Sequence, residues 1–297
     1  MFLRHKYVEN EKKPWHTLKE PVAMIKHDGG HFYLVVDSQG NHRYFSRRES
    51  VKTPGTFPER TSQLPHLTEV KTPEFAGHTY SVELVHTGKN KNSKDDHSAA
   101  SGILNSLAPK AIATQAETGP IRAVLLDVIN PSINTFRSKI AHMKGFEAAV
   151  NRPDVLFTPT YHYGIPGVVH VLNTTKEQGR EGVIVTELDE PESTNTRVKI
   201  KHYKTFNLRI AGITQAEDIK GNKKDMVGSF VLNDASGKFV GNVGTGLNRE
   251  TAIDAWTNPR NYIGEIAQVK CMDVTKAGIL RQPVWNGLAD GSIDHVK

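Results

Sequence analysis

The sequence predicts an α+β protein in two blocks: a strand-rich first block with helical cover, then a small β-barrel. Three observations carry this reading. From 22 to 203, runs of β-branched and aromatic residues alternate with polar loops. One segment among them has helical spacing. From about 206 the texture changes to short strands around glycine-containing turns, with one short helix. At 297 residues the chain can hold one large domain or two smaller ones and bury a real core.

In chain order, "HFYLVVDSQGNHRYFSRR" (31 to 48) reads as a hairpin around Ser38-Gln39-Gly40-Asn41. "TYSVELVHTG", "IRAVLLDVI", "EGVIVTEL" and "TRVKIKHYKTF" read as further strands. "NTFRSKIAHMKGFEAAV" reads as a helix with Phe136, Ile140, Met143 and Ala148 near one face. "HTGKNKNSKDDHS", 86 to 98, reads as a polar surface loop. In the second block, "MVGSFVLNDASGKFVGNVGTGL" is a hairpin over Asp234-Ala235-Ser236-Gly237, and "NRETAIDAWT" is a short helix. "YIGEIAQVKCMDVT" is a strand with Ala267, Val269 and Cys271 on one face, which makes Cys271 a core residue. Short strands with one helix over about ninety residues fit a β-barrel such as an OB-fold. The joint between blocks is expected near Lys204 to Asn207, giving domains 1–204 and 205–297.

Composition narrows the function classes. A formal net charge of +6 suggests a polyanionic partner. No apolar run is long enough to span a bilayer, and the N-terminal stretch has no apolar segment after its charges, so neither a membrane partner nor a secretory signal is expected. One cysteine excludes a disulfide framework and a cysteine-based zinc site. His78, His86 and His97 make no convincing ligand pair and are read as structural or surface residues.

The charged residues set within strands carry the chemistry. "MIKHDGG" (24 to 30) places Lys26 beside Asp28 and Gly29. Lys-x-Asp-Gly arises by chance in roughly one of twenty chains this long, and Asp-Gly is an ordinary turn signal, so this stretch alone leaves a surface turn and a nucleophile both open. Glu83 interrupts "SVELV", Glu181 opens "EGVIV", and Lys199 and Lys201 alternate with Val198 and Ile200. Residues i and i+2 of a strand share a face, so the two lysines project together. Singly, each of these fits an amphipathic strand with a wet face. Together they suit a triphosphate held with a divalent metal, lysines on the phosphates and carboxylates on the metal. A free lysine is almost wholly protonated at neutral pH; neighbouring cations and desolvation favour the neutral amine, which could attack an α-phosphorus. "KGNKKD" (220 to 225) is either a phosphate-contacting loop or a solvated turn.

The order of "KHDG", "FSRR", "VELV", "VLLDV", "EGVIV" and "VKIKHYKTF" resembles the covalent nucleotidyltransferases, and within them the small ATP-dependent DNA ligases of bacteriophage type. The final block, "YIGEIAQVKCMDVTKAGILRQPVWNG", is similar to the end of a ligase OB domain. The resemblance implies an ATP-grasp-like DNA ligase catalytic domain of antiparallel sheets with flanking helices, followed by an OB-fold. It implies ATP and Mg²⁺ as cofactors, nicked double-stranded DNA as partner, a monomer, and a cytoplasmic location in a bacterial host. Lys26 would be the adenylylated nucleophile. Asp28, Gly29, Arg47, Glu83, Leu126, Lys199 and Lys201 would bind ATP, with Glu83 and Glu181 on the metal. Arg47, Arg48, Lys220, Lys223 and Lys224 would contact DNA.

The sequence departs from that pattern in four places. His31 stands where ligases usually carry Arg, and Met24 where an acid is frequent. Leu126 replaces the aromatic that precedes the buried Asp. The C-terminal segment offers Asp290 and Asp294 but no Arg beyond Arg281. An mRNA-capping-type guanylyltransferase or an RNA ligase of the same superfamily is the alternative. A non-catalytic OB-type nucleic-acid binder would explain the charge but not Glu83, Glu181 and the surroundings of Lys26.

Overall fold

The computed structural model describes residues 7–90, 93–191, 197–275 and 277–296. Lys91 and Asn92 of the polar loop, and Thr196 at the head of the lysine-bearing strand run, lie outside the described residues. The chain divides into two compact units, Met1–Ile200 and Lys201–Lys297.

The first unit holds two five-stranded sheets. One has the order β1 (Tyr7–Glu9), β10 (Arg197–Lys201), β9 (Gly182–Glu187), β2 (Pro21–Lys26), β8 (His162–Tyr163). β1 runs parallel to β10, and β2 is antiparallel to both β9 and β8. The other has the order β4 (His42–Ser46), β3 (Gly30–Val36), β5 (Thr79–His86), β6 (Ile121–Val128), β7 (Leu156–Phe157). It is antiparallel except for the β6–β7 pair.

Alternation along the strands sorts their residues between layers. Ala23, Val183, Val185 and Val198 pack with Val168 and Val171 of helix α4 (Gly164–Glu177). Val22, Met24 and Ile184, on the opposite face, pack with Phe136 and Ile140 of α3 (Phe136–Val150). In the second sheet, Val82, Leu84, Ala123 and Leu125 join a core with α1 (His97–Leu104), α2 (Ala108–Thr118) and α3. Their strand neighbours Glu83, Val85, Val124 and Leu126 take the other face. A capping box between Thr135 and Ser138 starts α3. Its buried stripe is Phe136, Ile140, Met143, Phe146 and Val150, whereas Ala148, expected on that face, is exposed.

The second unit is an antiparallel sheet of order β13 (Phe239–Val243), β12 (Lys223–Asn233), β11 (Lys204–Glu217), β14 (Ile266–Cys271), β17 (Val284–Leu288), with α5 (Arg249–Thr257) against β12 and a short β15 (Asp273–Val274)–β16 (Leu280–Arg281) pair. Ala267, Val269 and Cys271 lie in its apolar core, as their alternation predicts. The expected closed barrel is not formed as a ladder among the described residues: β13 and β17 are its edges. One backbone bond, Trp285 N–H to Thr245 O at 2.8 Å, links β17 to the segment after β13. Gly246 bends the chain there at φ +89°, where a Cβ would come within 2.7 Å of Trp285 O.

Candidate active site

Lys26 ends β2, and its register partner is Gly182 of β9. That pairing brings the residue before Gly182 beside the lysine: Lys26 Nζ donates to Glu181 Oε2 at 2.6 Å. Lys26 is partly buried and Glu181 nearly fully so, at 20% and 6% exposure. The chain then turns flat onto β5. A Cβ at Gly29 would lie 2.1 Å from Leu84 O, so only glycine permits this approach. The Gly29 N–H donates to Glu83 Oε1 at 3.2 Å. Burial pushes the Glu83 carboxyl up to about 8; Lys26 pulls it down, while the negative charge of Glu181 pushes it further up. Two acids and one lysine, predicted on separate strands, thus share one electrostatic neighbourhood.

Loop residues 27 to 29 are held from a second side. Asp95 Oδ2 accepts from the Asp28 N–H at 3.0 Å and pairs with His27 Nδ1 at 3.0 Å. His97 Nδ1 donates to Gly29 O at 2.9 Å and lies 3.6 Å from Asp28 Oδ1. Asp28 is itself buried.

His31, where an arginine was expected, bonds Ser81 Oγ at 2.7 Å. Burial, then the positive charges of Arg47, Arg197 and Lys26, push its imidazole down to about 4. Those charges locate Arg47 near the site, while Arg48 is exposed. Lys199 pairs with Glu9 Oε1 at 3.0 Å on the neighbouring β1. Lys199 and Lys201 occupy alternate positions of β10, on the strand face that also carries Arg197. Lys220, Lys223 and Lys224 are exposed around the β11–β12 turn of the second unit, with Lys223 paired to Glu217. Asp218 organises this turn by accepting from the Lys220 and Asn222 N–H groups. Asp294 is used structurally, accepting from the Asn207 N–H at 2.7 Å.

Sequence reasoning missed a buried ion triad and a cavity. Arg197 Nη2 donates to Asp127 Oδ2 at 2.8 Å, and Lys139 Nζ lies 3.0 Å from Asp127 Oδ1. Arg197 Nη1 also donates to Leu126 O at 3.1 Å, which ties β10 of one sheet to β6 of the other. A cavity of about 410 Å³ opens beside the Lys26 loop, lined by Ile25, His27, Val85, Asp95, Arg122 and Phe157, among others. The Arg122 guanidinium lies 4.2 Å from the Phe157 ring centre. Leu126 does not line this cavity; it packs with Val85, Val124 and Phe157. The one legible signal for the triad was a lone Asp in an apolar strand, Asp127.

Among the described residues no three His, Cys, Asp or Glu side chains converge as a metal-binding group. Glu83 and Glu181 are two carboxylates, hard oxygen donors, and the charge of Glu181 raises the proton affinity of Glu83. That donor set fits Mg²⁺, which takes one or two carboxylates and completes its shell with water and substrate phosphates.

No family model and no curated protein matches the chain. Solved structures share its fold. A protein called Pmar-Lig_PreS3 superimposes with a TM-score of 0.73 at 13% identity, over 97% of this chain and 67% of that one. A structure from work on DNA binding with a minimal scaffold by Lig E DNA ligases gives 0.66 at 14% identity, over 97% and 100%. The ligase domain of LigD from M. tuberculosis gives 0.51 at 19% identity, over 97% and 95%. The chain therefore has the fold of these DNA ligase structures.

Proposed function

We propose that the protein is an ATP-dependent DNA ligase that seals nicks in duplex DNA through a lysyl-AMP intermediate. The observation that carries this is the Lys26 Nζ–Glu181 pair at 2.6 Å, with Glu83 of β5 accepting from the Gly29 N–H beside it, in a fold shared with DNA ligases. Residues 1–204 form the nucleotidyltransferase domain in this reading. Residues 205–297 form an OB-type domain, supported by the five-stranded antiparallel sheet and its apolar core.

Lys26 Nζ attacks the α-phosphorus of ATP. A phosphorus–nitrogen bond forms, the bond to the pyrophosphate oxygen breaks, and the amine loses a proton. Glu181 Oε2 is in contact with that amine and is the acceptor at hand. An oxygen of the nick 5′-phosphate then attacks the same phosphorus, and the lysine leaves and regains its proton. The 3′-hydroxyl attacks the 5′-phosphorus, closing the strand and releasing AMP. Bound Mg²⁺, held by Glu83 and Glu181, would supply neutralisation of phosphate charge. Asp28, Gly29, Arg47, Glu83 and Leu126 bind ATP, and Lys199 and Lys201 contact its α-phosphate and the leaving pyrophosphate. Arg47, Arg48, Lys220, Lys223 and Lys224 contact the DNA backbone. Nick sealing needs no base readout, so backbone contacts suffice.

The test is closure of a nicked, end-labelled duplex with Mg²⁺ and either ATP or GTP. Closure with ATP and not GTP is expected. Closure of nicked RNA alone, or a GTP requirement, would replace this reading with an RNA ligase or a capping-type enzyme.

A further inference from the structure

We propose that Asp95 and His97 are positioning residues that fix the loop 27–29 so that Lys26 is presented to the reacting phosphorus; this rests on the ligase reading above. The sequence presents 86 to 98 as a plain polar loop, yet its end grips the three residues that follow the lysine. Asp95, 8% exposed, accepts from the Asp28 N–H and pairs with His27. His97 donates to Gly29 O. The grip is anchored in turn: Asp96 N–H donates to His86 O at 2.7 Å, at the end of β5, and the Asp96 side chain caps α1 through the Ala99 N–H at 3.0 Å. Glu83 holds Gly29 from β5 itself. The loop is thus pinned between the strand that carries one acid of the site and the start of a helix. None of these bonds reaches Lys26 Nζ, so the segment acts through backbone placement. A displacement of about 1 Å at a reacting group can lower a rate by about 10²-fold.

The experiment measures single-turnover transfer of α-labelled AMP to the full-length protein over a range of ATP concentrations. It also measures closure of a nick already adenylylated at its 5′-phosphate, a step in which Lys26 is not the nucleophile. For Asp95→Ala we expect the maximal labelling rate to fall by about 10- to 100-fold, with the closure rate unchanged. Asp95→Asn keeps an oxygen that can accept from the Asp28 N–H, and should recover most of the labelling rate. Wild-type labelling by Asp95→Ala overturns the proposal. So does an equal loss of labelling and closure, or loss confined to ATP half-saturation. If Asp95→Ala does not fold, His97→Ala, which loses the bond to Gly29 O, decides in its place: a melting temperature and closure rate near wild type with a slowed labelling step support the proposal, and wild-type labelling or losses in proportion overturn it. Absence of label on the wild type is a separate outcome that removes the ligase reading itself and this inference with it.

Discussion

The two units bury different things. The core of the second is apolar throughout, from Leu208 and Phe230 to Val269 and Cys271, and its one buried charged side chain among the described residues, Asp234, serves a turn. The first buries Asp28, Asp95, Asp127, Lys139, Glu187 and Arg197 beside equally apolar clusters. Burying charge costs several kcal/mol per ion unless it is paired and hydrogen-bonded. Its concentration in one unit therefore marks where the molecule spends stability on geometry. Several of these groups act on loop 27–29 or on the sheet–sheet tie beside it.

The largest way to break this contrast is Asp127→Ala. It strands Lys139 and Arg197 without their shared carboxylate, and should cost about 3–5 kcal/mol in chemical denaturation. A cost below that of an ordinary surface substitution would mean the triad holds nothing together.

His31 sharpens the contrast through pH. Its folded-state pKa of about 4 lies below the ordinary 6.5, so the unfolded chain binds the extra proton first. The stability it contributes is full above pH 6.5 and is lost as pH falls from there toward 4. His31→Asn should flatten that acid limb, read from melting temperatures across the range; an unchanged slope would remove His31 as its cause.

Cys271→Ser probes the apolar core. Burial pushes the thiol up to about 11, and a hydroxyl there would lack a water partner. A loss of about 1–3 kcal/mol is expected, together with slow reaction of the native thiol at neutral pH; fast labelling would show that the core opens readily.

Smallest is Arg43→Ala. The Arg43–Glu59 pair is 2.7 Å long but 48% and 37% exposed, and should be worth less than about 1 kcal/mol. A larger loss would show that surface charge, and not only buried charge, stabilises this unit.

Much of this was legible in the sequence because period-2 alternation is local. The hairpin of β3 and β4, the strand β14 with Cys271 inward, and helices α3 and α5 follow from spacing and turn residues alone. Helices α1, α2 and α4 were not read: all three are short, and packing against the sheets stabilises them more than their own pattern does. Lys26, Glu83 and Glu181 were singled out and do come together, but their distances depend on the register of β2 with β9, which no local pattern reveals. Arg197 and Asp95 act across 67 to 71 residues of chain, and His97 had no feature that set it apart from a surface histidine. The closed barrel expected from the run of short strands does not appear as a ladder among the described residues.

The most direct test of the central claim is to incubate the protein with ATP labelled at the α-phosphate and Mg²⁺, without DNA, beside Lys26→Ala, and to map any label by mass spectrometry. The account predicts AMP on Lys26 of the wild type, discharged when nicked duplex is added, and none on the variant. Label at another residue, or equal labelling of Lys26→Ala, would contradict it.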